Sequence, residues 1–315
     1  MARSTKKRKR QIILIVIVLF LGIGLFLFSY YGDDIINFFN KDTEISDNDK
    51  DNDKNVDKDK DNNDNNKDNS SNDFKKQRGF NVSNLDRYVE YKAKNASLTN
   101  QQVVTRVNIG LDYEFYGYIS NTDVSYGNLI LTNKYLKLAS DYEPDDLVEI
   151  SRDCFISGNL YVRKMKKEAK EAFERLCLAA YKNGTPVYGQ SAYREYAQQE
   201  KLYKNAVSNM GQALADNDTA RPGHSEHQTG LTIDVSSTKA GNMLSFHKTD
   251  SYKWMIDNAY KYGFILRYPL GYEDIHGFVY ESWHYRYVGI EVATDMHNNY
   301  PNLTYDEYYY MFIAK

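Results

Sequence analysis

Residues 225–234, which read SEHQTGLTID, carry a His, a Gly and an Asp at a spacing that suits a turn followed by a β-strand. From Leu231 onward apolar and polar residues alternate, so that Leu231 and Ile233 face one side of the strand and Asp234 faces the other. His227 precedes the strand, and the Gly between them permits a close approach of the backbone. This segment therefore predicts that a His and an Asp lie on one side of a sheet.

Residues 281–284, which read ESWH, add a third candidate ligand, His284, and a nearby carboxylate, Glu281. The chain has 6 His and 2 Cys but neither an HExxH nor a CxxC motif, so a metal site must combine residues from separate segments. A catalytic zinc ion binds three such ligands and leaves one position for water. The candidate ligands are therefore His227, Asp234 and His284, a set that suits zinc without being exclusive to it.

Helical and strand-like patterns are interspersed between residues 84 and 288. Apolar periodicity and capping signals predict helices over residues 84–91, 99–109, 161–182, 195–205 and 250–263. Strand-like runs occur at residues 128–132, 186–191, 231–235, 264–268 and 283–288. Short strands interspersed with helices favour an α+β fold, in which a small antiparallel sheet is flanked by helices and carries the zinc site.

The N-terminus combines a basic segment with a long apolar run. Residues 1–10 contain six basic and no acidic residues, and residues 12–28 contain no charge. About 20 apolar residues cross a bilayer as a helix, and basic residues favour its cytoplasmic side. A cleaved signal peptide would have a shorter apolar core that ends in a small-x-small site. We therefore expect an uncleaved signal anchor, with the rest of the chain outside the cell.

Residues 41–73 contain 12 acidic residues, six basic residues and nine Asn. Such a segment buries too little apolar surface to offset its ordering entropy, so we expect a disordered tether. A calcium loop beginning at Asp51 is excluded, because Val56 stands where that loop needs a Gly and Asn62 where it needs a Glu.

Acidic and basic residues nearly balance in residues 74–315, which argues against nucleic-acid binding.

The two site segments resemble motifs of the zinc D-alanyl-D-alanine carboxypeptidases of the VanY/DacB type, in the peptidase M15B group related to the Hedgehog amino-terminal domain. The motif SxHxxGxAxD of that family is similar to residues 225–234, and ExWH is similar to residues 281–284. An upstream SxYR followed by a Gln is matched at residues 191–194 and Gln199. The resemblance extends over residues 125–315, and three separated motifs occur in the family's order.

The resemblance implies roles for individual residues. Zinc would be held by His227, Asp234 and His284, and Glu281 would be the general base that takes a proton from the attacking water. Arg194 would stabilise the oxyanion of the tetrahedral intermediate. Substrate contacts would come from the following residues: Ser225, Gln199, Tyr193 and Trp283.

The resemblance also completes the expected organisation of the chain. Its parts in order are a cytoplasmic basic tail (1–10), a transmembrane signal anchor (11–31), a disordered linker (32–78), a helical N-terminal segment that packs on the catalytic domain (79–122) and a zinc carboxypeptidase domain (123–315).

This sequence departs from the family pattern at two positions. Thr232 replaces a small Ala, and its hydroxyl is expected to hydrogen-bond Asp234, while Ser282 replaces a frequent Pro. His224 and Glu226 flank the site and are expected to be solvated loop residues. The pairing of Cys154 with Cys177 stays open, since sequence does not give their separation.

These inferences lead to a membrane-anchored zinc carboxypeptidase that trims peptidoglycan stem peptides at a terminal D-alanine. The alternatives are an L,D-carboxypeptidase that acts on tetrapeptide stems, an endopeptidase, and a non-catalytic zinc module that binds wall peptides. Glu281 argues for an enzyme, because a module that only binds has no need of a general base. The sequence leaves the oligomeric state open.

Overall fold

The computed structural model describes residues 73–156, 163–241 and 243–314, all within one compact unit, Asn62–Lys315. In this part of the chain, no helix combines the length and the apolar character needed to cross a membrane. The predicted cytoplasmic tail, signal anchor and most of the linker lie outside the described residues.

The described residues form a mixture of helices and short strands, which confirms the predicted α+β class. The α-helices are α1 (Leu85–Lys94), α2 (Asn100–Ile109), α3 (Lys167–Lys182), α4 (Tyr196–Met210), α5 (Gln212–Asp218), α6 (Asp250–Asn258), α7 (Glu273–His276), α8 (Ile290–Asn299) and α9 (Tyr305–Tyr308). The strands are β1 (Ser120–Asn121), β2 (Leu136–Lys137), β3 (Leu147–Glu149), β4 (Lys164–Lys166), β5 (Tyr188–Ser191), β6 (Thr232–Ser236), β7 (Phe264–Leu266) and β8 (His284–Tyr287). Short 3₁₀ helices lie at Val82–Asn84, Val124–Leu129, Arg152–Cys154, Glu226–Thr229, Met243–Lys248 and Ala259–Tyr262, and a π-helical turn at Tyr309–Ile313.

The largest sheet of the described residues has the strand order β5-β6-β8-β7, and every neighbouring pair in it is antiparallel. Asp234 on β6 lies opposite His284 on β8 and, on its other side, opposite Ser191 on β5. This register brings three segments that are distant in sequence side by side. Two smaller pairs complete the strands: β3 pairs with β4 antiparallel, and β1 pairs with β2 parallel.

The apolar side of β6 forms part of the main core. Ile233 is fully buried there in the same cluster as Phe173 of α3. Gly189 on the neighbouring strand is required by close packing, because a Cβ at this position would lie 2.6 Å from the ring of Phe155 and 2.7 Å from the side chain of Ile233. The core thus fixes β6 from one face and leaves the opposite face to the site residues.

A disulfide joins Cys154 to Cys177, with their Cα atoms 5.9 Å apart. Cys177 lies on the buried face of α3, and Cys154 ends the 3₁₀ helix that precedes Phe155. The question that the sequence left open is therefore answered in favour of pairing.

Two elements differ from the sequence-based expectation. The apolar run at residues 128–132 is no strand, since Val124–Leu129 forms a 3₁₀ helix and the following carbonyl of Ile130 accepts a hydrogen bond from Arg286 instead of from a strand. The helix expected from residue 161 begins at Lys167, because the preceding Lys164–Lys166 pairs with β3.

Of the two N-terminal helices, α1 packs on α2, and α2 lies against the C-terminal part of the chain. Thr99 and Gln102 form the capping box that the sequence predicted for α2. Arg106 of α2 lies 3.5 Å from Asp274 of α7, and α2 also packs against α9. These contacts describe how residues 79–122 meet the rest of the described unit.

Candidate active site

A cavity of about 340 Å³ opens beside β6 and β8. All but one of the residues that the sequence assigned to the site line this cavity, and the exception is Tyr193. The lining residues are Arg194, Gln199, Leu202, Asp218, Thr219, Ala220, Ser225, Glu226, His227, Asp234, Met243, Leu244, Tyr268, Phe278, Glu281, Trp283 and His284. The lining combines charged and polar side chains with apolar ones, as is usual for sites that orient a small substrate.

Three side chains that line the cavity form a candidate metal centre. One donor atom from each of His227, Asp234 and His284 lies within 4.8 Å of the others, and all three residues are buried. His227 Nε2 lies 3.3 Å from Asp234 Oδ2, and His284 Nδ1 lies 3.2 Å from Asp234 Oδ1. Asp234 Oδ1 is buried and forms no hydrogen bond with any described residue. Since buried polar atoms are normally paired, this oxygen suits coordination to a cation.

The two imidazoles are oriented by their surroundings. The Nδ1 atom of His227 lies 2.6 Å from the carbonyl oxygen of Ala192, which holds the ring and directs Nε2 toward Asp234. His284 packs on Tyr268, with ring centroids 4.7 Å apart. The two His rings lie nearly perpendicular to each other, at 86°. His227 thus faces Asp234 with Nε2 and His284 faces it with Nδ1.

Negative charge dominates the surroundings of His284. Burial alone would lower its pKa, but Asp234, Glu226 and Glu281 raise the pKa of His284 well above its ordinary value. By contrast, burial and the nearby charge of Arg194 lower the pKa of His227. A divalent cation between these groups would offset the excess of buried carboxylates.

Glu281 lies beside the candidate metal centre. Its Oε2 atom is 3.2 Å from His284 Nδ1. The backbone N–H of His284 also donates a hydrogen bond to the carbonyl oxygen of Glu281. Burial raises the pKa of Glu281, although His284 partly opposes this shift. A carboxylate whose pKa is raised in this way is better suited to accept and return a proton than an exposed one.

Arg194 extends from the loop after β5 into the cavity. Its two terminal nitrogens donate to Gln199 Oε1 at 2.9 Å and to Ser191 Oγ at 3.0 Å. Its backbone N–H donates to the carbonyl of His227, which ties this loop to the metal-site turn. Burial lowers the pKa of Arg194, while Asp234 and Glu281 oppose the shift. The guanidinium therefore stays a fixed cation at the edge of the site.

Gln199 holds Arg194 rather than standing free for a substrate. Its amide oxygen accepts from Arg194, and its amide nitrogen donates to the carbonyl of Ala220 at 2.7 Å. Ser225 and the half-buried Trp283 line the cavity, and their contacts with a substrate stay predictions. The structure does not bring Tyr193 to the cavity. Its backbone N–H donates to the carbonyl oxygen of Lys164, and partial burial raises the pKa of its hydroxyl to about 12.

The expected hydrogen bond between Thr232 and Asp234 is not formed. Thr232 is fully buried, and its Oγ1 atom has no hydrogen-bonding partner within the described part of the chain. Both residues lie on the same face of β6, but Asp234 faces the two His residues instead.

The expectation that His224 and Glu226 are solvated is wrong, because both side chains are buried. His224 lies with its Nδ1 atom 2.7 Å from the carbonyl of Asn133, and burial lowers its pKa to about 4. Glu226 accepts from Arg267 Nε at 2.9 Å and from Arg286 Nη1 at 3.0 Å. Burial alone would raise the pKa of Glu226, but the two guanidinium groups hold it well below its ordinary value.

The sequence held one signal for the buried role of Glu226. Arg286 alternates with tyrosines in the run HYRY of β8, where Tyr285 and Tyr287 point to the core. An Arg inside a buried strand needs a carboxylate partner. The sequence alone did not identify which of the acidic residues that partner would be.

Comparisons with known proteins show which family this chain resembles. A sequence model of the VanY family, described as D-alanyl-D-alanine carboxypeptidase, matches residues 162–290. The chain is 43% identical over 183 residues to YodJ of Bacillus subtilis (strain 168), which corresponds to 58% of this chain and 66% of YodJ. It therefore spans slightly less than two thirds of that relative.

A second relative is the bifunctional D-Ala-D-Ala dipeptidase and D-Ala-D-Ala carboxypeptidase VanXYC of Enterococcus gallinarum. The two chains are 35% identical over 168 residues, which cover 51% of this chain and 84% of VanXYC. Among solved structures, the LdcB LD-carboxypeptidase, whose structure was described in terms of peptidoglycan recognition, is similar with a TM-score of 0.56 and 40% identity. That match covers 61% of this chain and 90% of LdcB.

Proposed function

Because the chain belongs to the VanY family of D-alanyl-D-alanine carboxypeptidases, we propose that it is a zinc enzyme that removes the C-terminal D-alanine from peptidoglycan stem peptides. The observation that carries the proposal is the convergence of three ligand atoms within 4.8 Å of one another, beside Glu281 and in an accessible cavity. The names of the relatives support the substrate class, since VanXYC acts on D-Ala-D-Ala.

Zinc fits the donor set of this site. Two imidazoles and one carboxylate are ligands that zinc takes in catalytic sites, and the unpaired oxygen of Asp234 gives the cation a free donor. His227, Asp234 and His284 would hold the ion. When bound, zinc polarises the scissile carbonyl and lowers the pKa of water toward neutrality.

The chain's own residues then divide the remaining chemistry. Glu281 takes a proton from the attacking water while the water oxygen bonds to the carbonyl carbon of the scissile peptide. The fixed guanidinium of Arg194 donates hydrogen bonds to the oxyanion that forms on that carbonyl. When the carbon–nitrogen bond breaks, Glu281 returns the proton to the leaving amine, which yields free D-alanine and a peptide shortened by one residue.

The substrate would be oriented by further groups that line the cavity. Ser225 offers a hydroxyl for the substrate backbone or its terminal carboxylate, and Trp283 offers an apolar wall. Gln199 contributes indirectly, because it holds Arg194 in position through the bond to its amide oxygen.

The second candidate function is an L,D-carboxypeptidase that acts on tetrapeptide stems. The similarity to the LdcB LD-carboxypeptidase favours this candidate, with a TM-score of 0.56 and 40% identity. Both reactions use the same metal chemistry and release D-alanine. They differ in the residue that precedes the scissile bond, so the substrate decides between them.

Mass spectrometry of stem peptides separates the two candidates. Purified full-length protein is incubated with a pentapeptide stem and, separately, with a tetrapeptide stem, each with and without a chelator. The proposal expects the pentapeptide to lose one D-alanine in a chelator-sensitive reaction. Loss from the tetrapeptide alone would replace it with the L,D candidate, and cleavage of neither by protein that holds its metal would contradict both.

We also propose that residues 11–31 anchor the protein in the cell membrane, with the catalytic domain facing the wall. The apolar run and the basic residues that precede it support this topology. Residues 32–78 would hold the domain away from the membrane as a flexible tether. Protease added to intact cells should then remove the catalytic domain and leave a short N-terminal fragment, whereas a protected catalytic domain would contradict the topology.

A further inference from the structure

We propose that Glu226 is a positioning residue that holds the ring of His284 so that Nδ1 points to the metal. His284 has two ring nitrogens, and only one of them can serve as the ligand. Nδ1 lies 3.2 Å from Asp234 and therefore faces the candidate metal centre. The inference concerns the opposite nitrogen, Nε2, and it rests on the proposed function for the identity of the metal.

Glu226 and His284 face each other across a buried gap. Glu226 Oε2 lies 3.6 Å from His284 Nε2, and neither atom forms a hydrogen bond with any other described residue. Both side chains are almost completely buried, so bulk water does not readily satisfy these atoms. A shift of about 0.7–0.9 Å converts the gap into a charge-assisted hydrogen bond, for which N–O distances of about 2.7–2.9 Å are usual.

Glu226 can act as a fixed support because two arginines hold it. Arg267 Nε and Arg286 Nη1 both donate to the same oxygen, Oε1, at 2.9 and 3.0 Å. Oε2 is therefore left to His284. Arg286 is itself held by the backbone, since its other nitrogens donate to the carbonyls of Tyr287, Asn128 and Ile130.

The consequence for the metal site concerns the tautomer of His284. An imidazole that donates its Nε2–H to a carboxylate keeps the lone pair of Nδ1 available for a metal, and its ring cannot rotate freely. Carboxylates in this position raise the affinity of His-containing metal sites by about 10- to 100-fold. Glu226 would thus contribute to zinc affinity without touching zinc or the substrate.

Zinc affinity, measured by competition with a chelator, tests this role in Glu226→Gln. The matched control is Asp306→Asn, because Asp306 accepts from Arg267 Nη1 at 2.6 Å in the same buried cluster but does not face His284. We expect Glu226→Gln to weaken zinc binding by about 10- to 100-fold and Asp306→Asn to change it by less than about twofold. Equal weakening in both variants, or no change in Glu226→Gln, would overturn the proposal.

Nitrogen NMR of the histidine side chains in the wild-type protein gives a second test, which does not require any variant to fold. In zinc-loaded protein, His284 should carry a slowly exchanging proton on Nε2 with a shift typical of a bond to a carboxylate. A deprotonated or rapidly exchanging Nε2 would contradict the proposal. If the wild-type protein binds no zinc, the proposed metal is wrong, while the same NMR measurement on the metal-free protein still tests the bond between Glu226 and His284.

Discussion

Glu281 is the residue on which the proposed chemistry depends most directly. Its Oε2 atom lies 3.2 Å from His284 Nδ1, and burial raises the pKa of its carboxyl group. Glu281→Gln keeps the shape of the side chain but cannot accept a proton from water. We expect turnover to fall by about 10²- to 10⁴-fold while bound zinc is retained. Turnover assays together with metal analysis check this expectation.

The control for this prediction is Glu291→Gln, since Glu291 is exposed at the start of α8 and does not line the cavity. It should leave turnover unchanged. Wild-type turnover in Glu281→Gln would remove Glu281 from its role as the general base.

Thr232 provides a prediction about stability. Its buried Oγ1 has no hydrogen-bonding partner among the described residues, so the folded state bears the cost of removing this hydroxyl from water. Thr232→Val has nearly the same shape and removes that cost. We expect the free energy of unfolding to rise by about 1 kcal/mol, measured by urea denaturation. A clear loss of stability would indicate that the hydroxyl is bonded after all.

Single residues also show where sequence reasoning succeeds and where it fails. His227 and Asp234 could be predicted because a turn followed by an alternating strand constrains where their side chains lie. Glu226 could not, because its burial depends on Arg267, which lies just beyond β7, and on Arg286, which lies on β8. Local polarity predicts a solvated residue when the compensating charge is distant in sequence.

At the scale of elements, the register of β5, β6 and β8 assembles the site. Asp234 opposes both Ser191 and His284, so one strand aligns the loop that carries Arg194 with the segment that carries Glu281. Alternation at residues 231–235 predicts β6, but the pairing of the strands depends on contacts across the sheet. The strand predicted at residues 128–132 is wrong for the same reason, since apolar residues alone do not show whether a partner strand is available.

The disulfide is the clearest covalent constraint on these elements. It closes a loop with a sequence separation of 23 and ties the segment before Phe155 to α3. Cross-linking a loop of this length stabilises a protein by about 3 kcal/mol through the entropy of the unfolded chain. We expect the double variant Cys154→Ala, Cys177→Ala to lose about that much free energy of unfolding, measured by urea denaturation.

Reduction of the wild-type protein is the matched control, because it breaks the bond without changing the residues. It should lower the unfolding midpoint to that of the double variant. An unchanged midpoint in protein whose mass shows two reduced thiols would contradict a stabilising role for this disulfide.

For the whole molecule, two buried histidines predict acid sensitivity. Burial lowers the pKa values of His224 and His276 from 6.5 to about 4, so both are neutral in the folded protein near neutral pH. Between pH 4 and pH 6.5 the unfolded chain therefore binds more protons than the folded one. Stability is therefore fully present above pH 6.5 and falls as the pH drops toward 4, by about 3 kcal/mol for each group.

Urea denaturation across this pH range tests the effect, with His276→Gln as the variant. Gln does not titrate there, so the variant should show a shallower loss of stability than the wild-type protein. The same slope in both proteins would show that His276 does not contribute to the acid sensitivity.

The central claim is that a metal held by His227, Asp234 and His284 enables the release of D-alanine, and zinc titration tests it most directly. Protein stripped by a chelator is supplied with increasing zinc while D-alanine release from a pentapeptide stem is followed. The account predicts no release without metal and full recovery at one zinc per chain, with Asp234→Asn failing to recover under the same conditions. Full activity in the stripped protein, or full recovery in Asp234→Asn, would contradict it.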